Sequence, residues 1–112
     1  MYSYNVQPVD VLDGDTVVFY VDLGFYIWTL VPVRLTGVDL HMPLTKAEEK
    51  REKEAVKFLK DKFEGIEKCV IETHKNDEGD ITADVVIDGK TLNLELERRG
   101  LLRGSSKLQP VH

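Results

Sequence analysis

Few residues in this chain combine a reactive type with a spacing that suits chemistry. His74 has no second histidine or cysteine at metal-ligand spacing, so the sequence predicts no metal bound there. Cys69 is the only cysteine and cannot form an internal disulfide. Because it opens a predicted strand, we expect it to be a small buried side chain. Neither residue indicates a reactive centre by itself.

Two groups of side chains could contact nucleic acid. Basic residues gather toward the C-terminus and could contact phosphates, although pairing with Glu95 and Glu97 is the favoured alternative; they are Lys90, Arg98, Arg99, Arg103 and Lys107. Aromatic residues gather in the first half and could stack on bases, although core packing is favoured for most of them; they are Phe19, Phe25, Tyr26 and Trp28.

The composition is that of a globular protein with an acidic balance. The net charge is −5 and the isoelectric point is about 5.2. Acidic charge lowers the expectation of nucleic-acid binding without excluding it, because a local basic patch can neutralise phosphates. No apolar run has the ~20 residues that a membrane span needs, and the first residues do not have the pattern of a signal peptide. We therefore expect a cytoplasmic protein that does not interact with membranes.

The first half of the chain predicts three strands. They cover residues 6–12, 17–23 and 25–36, and the turn Asp13–Gly14–Asp15 separates the first two. Pro32 cannot donate a ladder hydrogen bond, so it predicts a bulge or an edge position in the third strand. In the turn, aspartate side chains are expected to bond the main chain.

A helix is predicted from Lys46 to Phe63. Thr45 and Glu48 have the spacing of a capping box, in which each side chain bonds the main-chain N–H of the other residue. Apolar residues then recur on one face at helical spacing: Ala55, Val56, Leu59 and Phe63. The many lysines and glutamates of this segment favour a solvated outer face.

The second half predicts two further strands, at residues 69–73 and 81–87, and Asp88–Gly89 indicates a hairpin turn. The segment after it is ambiguous. Leucines at positions 92, 94 and 96 alternate as in a strand, whereas two arginines followed by glycine at 98–100 are typical of a helix end.

These elements predict one domain over residues 1–112, with a frayed tail at 105–112. The fold class is α+β and mainly β: a small closed β-barrel of five strands with one long helix and a short C-terminal helix. The OB-fold is the commonest design of this kind.

Several segments also match the motifs of a known family. They are residues 11–17 against V-x-D-G-D-T-[VIL], 33–39 against R-L-x-[GL]-[VI]-D-T-P-E, 73–75 against T-x-K, and the closing segments 83–90, 92–93 and 99–101. In this order the segments resemble the micrococcal (thermo)nuclease, or staphylococcal nuclease-like, family from about Val9 to Leu101. Residues 21–25 and Trp28 resemble the branch that is common in phages and prophages.

The resemblance implies a fold and a chemistry. Family members have an OB-type barrel, and the stretch after the final hairpin is a helix, which we place at residues 92–99. They cleave DNA and RNA phosphodiesters with Ca²⁺. Asp15 and Asp39 stand at the metal-binding positions, so a weak site for Ca²⁺ or Mg²⁺ is expected there. Arg34 stands at the position of a phosphate-binding arginine.

Two other family positions are changed. The glutamate that positions the attacking water is replaced by Met42, which can neither accept a proton nor bind a hard cation. The second phosphate-binding arginine is replaced by Asp80, which is an anion. Loss of a positioned base typically costs about 10²–10⁴ in rate, and loss of a charge partner for the transition state costs about 10²–10³.

Three residues could compensate for these changes. His41 could act as a base near neutral pH, and Glu48 or Glu49 could reach the site from the start of the helix. Each has a simpler role: His41 as a loop residue, Glu48 as a cap and Glu49 as a solvated residue. Asp15 likewise has a structural role in the tight turn.

The sequence therefore predicts a nuclease-fold protein that no longer cleaves and that acts as a binding module, and the phage-type segments predict a phage-encoded, host-directed role. The expected partner is a protein or, through weak contacts, a nucleic acid; no small-molecule cofactor is implied. The alternative is a divergent metal-dependent endonuclease with a rebuilt active site. A third hypothesis is an acidic inhibitor that mimics nucleic acid, with its negative charge concentrated on one face.

Overall fold

The computed structural model describes residues 2–37, 45–75, 79 and 81–102. In chain order the elements are β1 (Tyr2–Val11), β2 (Thr16–Asp22), β3 (Trp28–Leu35), α1 (Lys46–Phe63), β4 (Cys69–Lys75), β5 (Ile81–Ile87), β6 (Lys90–Thr91) and α2 (Leu92–Arg98). No helix in these residues is both long and apolar enough to cross a membrane.

The strands form a closed barrel. Their order is β3-β2-β1-β4-β5-β6, and β3 also pairs with β5, which joins the two sides of the sheet. The closing pair is parallel and short, with Arg34 opposite Thr82 and Leu35 opposite Ala83. β6 contributes only two residues beside β5. The prediction of a mainly β protein with a five-stranded barrel and two helices is confirmed.

The core lies inside the barrel and under both helices. Alternate residues of β2 and β3 point inward, including Phe19 and Leu35, which are fully buried. Helix α1 covers the barrel with Ala55 and Leu59, and the rings of Phe63 and Phe19 lie edge to face with their centroids 5.9 Å apart. This packing determines which residues of α1 face the strands.

Two strands are longer than the sequence predicts. β1 begins at Tyr2 instead of residue 6, because its first residues pair with β4 from Tyr2 opposite Thr73 to Asn5 opposite Val70. None of these added side chains is buried, so no hydrophobic alternation marks them in the sequence. β4 continues to Lys75 instead of ending at Thr73, because His74 and Lys75 pair with Thr82 and Ile81 of β5.

The predicted start of the third strand is wrong. Phe25 and Tyr26 lie in a turn, with φ angles of 53° and 63°, and β3 begins only at Trp28. The two rings are 94% and 101% exposed, so the expectation of core packing is wrong for both of them. Of the four aromatic residues, Phe19 is in the core, and Trp28 is half-buried and stacked on Tyr20 at 5.3 Å.

Pro32 does not produce a bulge. The β2–β3 ladder passes through it without a register shift, and the bulge lies instead in β1, between Pro8 and Asp10. β3 pairs with β5 only at Arg34 and Leu35. Pro32 therefore lies, among the described residues, on a stretch of β3 with a strand on one side only, as its edge preference predicts.

The helices agree closely with the predictions. Helix α1 covers Lys46–Phe63, and the side chain of Thr45 caps it by accepting a 3.2 Å hydrogen bond from the main-chain N–H of Glu48. The reciprocal half of the capping box is not formed, because the Glu48 carboxylate bonds Arg51. Helix α2 ends at Arg98, and the predicted last residue, Arg99, is its C-cap.

Candidate functional site

The turn that carries Asp15 lies directly against helix α1. The main-chain N–H of Asp15 donates a 2.7 Å hydrogen bond to Oδ1 of Asp13, as predicted for a tight aspartate turn. A Cβ atom added at Gly14 would come within 3.0 Å of Cβ of Ala55, so only glycine fits here without displacement. The glycine thus lets the turn approach α1 closely and places Asp15 at the helix surface.

Asp15 faces an arginine of that helix. Its Oδ1 lies 3.5 Å from Nη1 of Arg51, and Nε of Arg51 donates a 2.6 Å hydrogen bond to Oε2 of Glu48. The residues are 6% (Asp15), 8% (Arg51) and 5% (Glu48) exposed. Asp15, which the sequence assigned to a cation, and Glu48, a possible replacement base, are thus joined by a guanidinium between them.

Arg51 also connects the site to the end of the described chain. Its Nη1 donates a 2.5 Å hydrogen bond to the carbonyl oxygen of Leu101, fifty residues along the chain. Leu101 and Leu102, which follow α2 in the chain, are buried. One side chain therefore links the β1–β2 turn, the first turns of α1 and the segment after α2, which gives Arg51 a role in holding the fold together.

The electrostatics of this pair disfavour a cation at Asp15. Two unit charges of the same sign about 4 Å apart repel by on the order of 4 kcal/mol under the screening near a protein surface. A divalent ion at Asp15 would have to compete with the Arg51 guanidinium for the same carboxylate. The guanidinium already supplies positive charge to this carboxylate.

The main chain at Arg34 lies beside that of Asp15, but the two side chains differ in their exposure to solvent. It is opposite Thr16 on β2 and Thr82 on β5, and the main-chain N–H of the next residue, Leu35, donates to the carbonyl of Asp15 at 2.9 Å. The Arg34 side chain is exposed, whereas that of Asp15 is buried beside α1. Arg34 makes no ion pair with another described residue and could contact an anion from solvent.

The remaining predicted site residues divide into two groups. Glu49 is exposed in the first turn of α1, which agrees with its interpretation as a solvated residue. Asp39, Leu40, His41, Met42 and Asp80 lie outside the described residues. No group of three potential metal ligands occurs in the part of the chain that the structure describes. The cation site at Asp15 and Asp39 therefore stays a prediction.

Arg51 is a site residue that the family motifs do not predict, although the sequence contains a signal for it. The apolar stripe of α1 passes through Leu59 and Ala55 at intervals of four, and the next step back is Arg51. It is also the only arginine in a helix whose other cations are lysines. A lone arginine on the buried face of a helix predicts a carboxylate partner, because an unpaired buried charge is costly.

The C-terminal basic group is partly neutralised. Glu95 pairs with Lys62 at 3.3 Å and with Arg99 at 3.4 Å, as the alternative interpretation expected for Arg99. Lys90 and Arg98 line one open concavity of about 890 Å³ together with Lys62, Glu95 and Arg99. Arg103 and Lys107 lie outside the described residues.

His74 pairs with Asp84 at 2.9 Å across β4 and β5.

Comparison with known proteins adds no family assignment: no protein-family model matches the chain, and no curated protein matches it significantly.

Proposed function

We propose that the protein is a binding module with a staphylococcal nuclease-like OB-fold that has lost phosphodiester hydrolysis. Three features support the fold assignment. The barrel order is β1-β2-β3-β5-β4 with a parallel β3–β5 closure, the long helix connects β3 to β4, and the motif segments of the family follow one another in the expected order.

The main support for the loss of activity is the position of the Arg51 guanidinium, whose Nη1 lies 3.5 Å from Oδ1 of Asp15. Metal-dependent hydrolysis needs a carboxylate that is free to bind the cation. Here that carboxylate is buried beside an internal cation, which in turn is bound to Glu48. The same arrangement opposes Glu48 as a replacement base, because its carboxylate already accepts a short hydrogen bond.

The changes at two other family positions support the same proposal. Met42 cannot position a water molecule as the family glutamate does, and Asp80 would repel the phosphate that the family arginine binds. The site would therefore lack three contributions to the rate of hydrolysis. Asp15 is paired with Arg51, Met42 replaces the base, and Asp80 reverses the charge of the second arginine. The retained chemistry is recognition, with Arg34 as an exposed cation on the barrel surface.

The partner that we propose is a protein, in line with the net charge of −5. A nucleic acid would have to be bound mainly through scattered cations, several of which are already paired with carboxylates. The resemblance of residues 21–25 and Trp28 to phage-type members supports a phage-encoded, host-directed role in the cytoplasm.

The test is a cleavage assay on single-stranded DNA, duplex DNA and RNA with Ca²⁺, Mg²⁺ or Mn²⁺. We expect no cleavage above a matched Asp15→Ala preparation with any metal. In parallel, Ca²⁺ should leave the melting temperature of the wild-type protein unchanged, because no cation binds Asp15. Cleavage that disappears in Asp15→Ala would overturn the proposal and establish a divergent endonuclease, with His41 and Glu49 as the first candidates for its base.

A further inference from the structure

The hairpin between β2 and β3 exposes an apolar surface. Its exposed members, called the hairpin patch below, are Tyr20, Leu23, Phe25, Tyr26, Ile27 and Leu30. An aromatic side chain alone offers roughly 150–250 Å². Two of its rings are almost fully exposed. A contiguous exposed apolar surface of this kind often marks an interaction site.

The backbone at the tip of the patch is strained in a way that displays the rings. Phe25 and Tyr26 both have positive φ angles, 53° and 63°, and the N–H of Ile27 donates to the carbonyl of Gly24 at 2.9 Å. Turns of this form normally have asparagine and glycine at the two central positions, because side chains are disfavoured there. Backbone strain of this kind clusters at functional positions.

The hairpin is also held in a fixed conformation. The N–H of Gly24 donates to Oδ1 of Asp22 at 2.8 Å, and the N–H of Leu23 donates to the carbonyl of Ile27 at 2.8 Å. Below the tip, the rings of Tyr20 and Trp28 stack at 5.3 Å with an interplanar angle of 29°. A fixed aromatic surface loses little conformational entropy when it is covered.

The charge of the hairpin selects the kind of partner. Between Thr16 and Leu35 the only charged residues are Asp22 and Arg34. A nucleic acid or an anionic membrane would need several cations around the rings, and the hairpin does not provide them. An equally uncharged apolar surface fits, and the hairpin patch of a second copy is such a surface.

The open edge of β3 is self-complementary. The N–H of Leu35 points to β2 and that of Thr36 points to β5, so by alternation the main-chain groups of Trp28, Leu30 and Pro32 point away from β2. No described strand pairs with β3 there. In an antiparallel pair of β3 strands centred on Leu30, the two Leu30 residues would exchange hydrogen bonds. Each Trp28 N–H would reach the Pro32 carbonyl of the other copy. The missing N–H of Pro32 removes only one bond per copy.

We propose that the hairpin patch and the adjoining β3 edge form a symmetric homodimer interface, in which two β3 strands pair about Leu30. In this register Tyr26, at the tip of each hairpin, lies at the Arg34 end of the other copy's β3 strand. Isologous interfaces of this kind, in which the same surface serves both subunits, are the commonest in soluble proteins. The inference does not depend on whether the protein hydrolyses phosphodiesters, because the residues involved are separate from Asp15 and Arg51.

The test is sedimentation velocity of the full chain from low to high micromolar concentration. We expect a concentration-dependent dimer for the wild-type protein. Leu30→Asp places two carboxylates opposite each other and should weaken dimerisation roughly 1000-fold, since each substitution occurs twice in the interface. Leu94→Asp, at an exposed leucine on α2, is the matched control and should leave the dimer intact.

A second variant separates folding from association. Tyr26→Gly removes one ring and places glycine where φ is positive, so the monomer should melt at no lower temperature while the dimer is weakened. A wild-type protein that stays monomeric at all concentrations would overturn the proposal, including the case in which it binds single-stranded DNA or lipid vesicles through the same rings. A dimer that survives both hairpin substitutions would overturn it as well.

Discussion

Oδ1 of Asp15 lies 3.5 Å from Nη1 of Arg51, and both side chains are buried where the β1–β2 turn meets helix α1. The pair joins two segments that are distant in the sequence, and Arg51 extends the connection to Glu48 and to the carbonyl of Leu101. A position that the motif assigned to cation binding therefore contributes an internal ion pair.

Removal of Arg51 should destabilise the protein strongly. Arg51→Ala leaves two buried carboxylates without their guanidinium, and breaking a buried ion pair from one side typically costs about 3–5 kcal/mol. Urea unfolding would measure this as a lower midpoint with a similar slope. Lys53→Ala, at an exposed position of the same helix, should stay within about 0.5 kcal/mol of wild type.

A double-mutant cycle would test whether Asp15 is the relevant partner. Asp15→Asn and Arg51→Met are combined, and we expect the losses to be non-additive, with a coupling of about 0.5–3 kcal/mol between contacting residues. Additive losses would mean that the two side chains act independently and would contradict the ion pair.

Asn93 should be essential for docking α2 on the barrel. Its Oδ1 accepts from the N–H of Val85 at 2.9 Å, and its Nδ2 donates to the carbonyls of Thr36 and Ala83 at 3.0 and 3.1 Å. Asn93→Leu leaves these buried groups without the amide, so we expect a loss of about 2–4 kcal/mol in the free energy of unfolding.

Two control variants sharpen this measurement. Asn93→Asp can still accept from Val85 but cannot donate to the two carbonyls, and it should be nearly as destabilising. Glu97→Gln, at an exposed position of α2, should change stability little. Equal stability of Asn93→Leu and the wild-type protein would show that the amide network contributes nothing.

The N-cap of α1 makes a smaller contribution. Thr45→Ala removes the oxygen that accepts from the N–H of Glu48, and such a change usually costs about 1 kcal/mol. Thr45→Ser keeps the oxygen and should be close to wild type. Thermal unfolding of the three proteins at one pH would reveal the order, and an alanine variant as stable as the serine variant would contradict the cap.

Cys69 should make stability fall at alkaline pH. Burial raises the pKa of its thiol from 9.0 to about 11, so the folded protein favours the neutral thiol. Its contribution is complete below pH 9. It is lost as the pH rises toward 11, because the unfolded chain releases the proton first; the loss is at most about 2–3 kcal/mol.

Comparison with Cys69→Ala isolates this contribution from those of the other ionisable groups, which the two proteins share. The difference in unfolding free energy between wild type and variant should shrink from pH 8.5 to about pH 11. A constant difference over this range would show that the thiol titrates alike in the folded and unfolded states.

The parts of the fold that depend on local signals could be predicted from the sequence. Helix α1 follows from its cap and its apolar stripe, and its bounds agree at both ends. β5 follows from its alternation between two turn signals. By contrast, the first residues of β1 are strand only because they pair with β4, and nothing in their own pattern reports that partner.

The candidate site was less predictable for the same physical reason. The aspartate turn at Asp15 is predictable, because its geometry depends on Asp13 two residues away. Its ion pair depends on how α1 lies across the barrel, and the motif does not contain that information. The predicted start of the third strand is wrong because phenylalanine and tyrosine prefer strands, whereas Phe25 and Tyr26 lie in a turn with positive φ angles.

The short parallel contact between β3 and β5 has a consequence for the order in which the chain folds. The strands β1, β2 and β3 follow one another and pair as antiparallel neighbours, so they can form through local turns. The closing contact includes the hydrogen bond from Oγ1 of Thr36 to Oγ1 of Thr82 at 3.1 Å, across 46 residues of chain. Such a loop is slow to close. During synthesis, the first three strands therefore form an open meander that cannot become a barrel until β5 has left the ribosome.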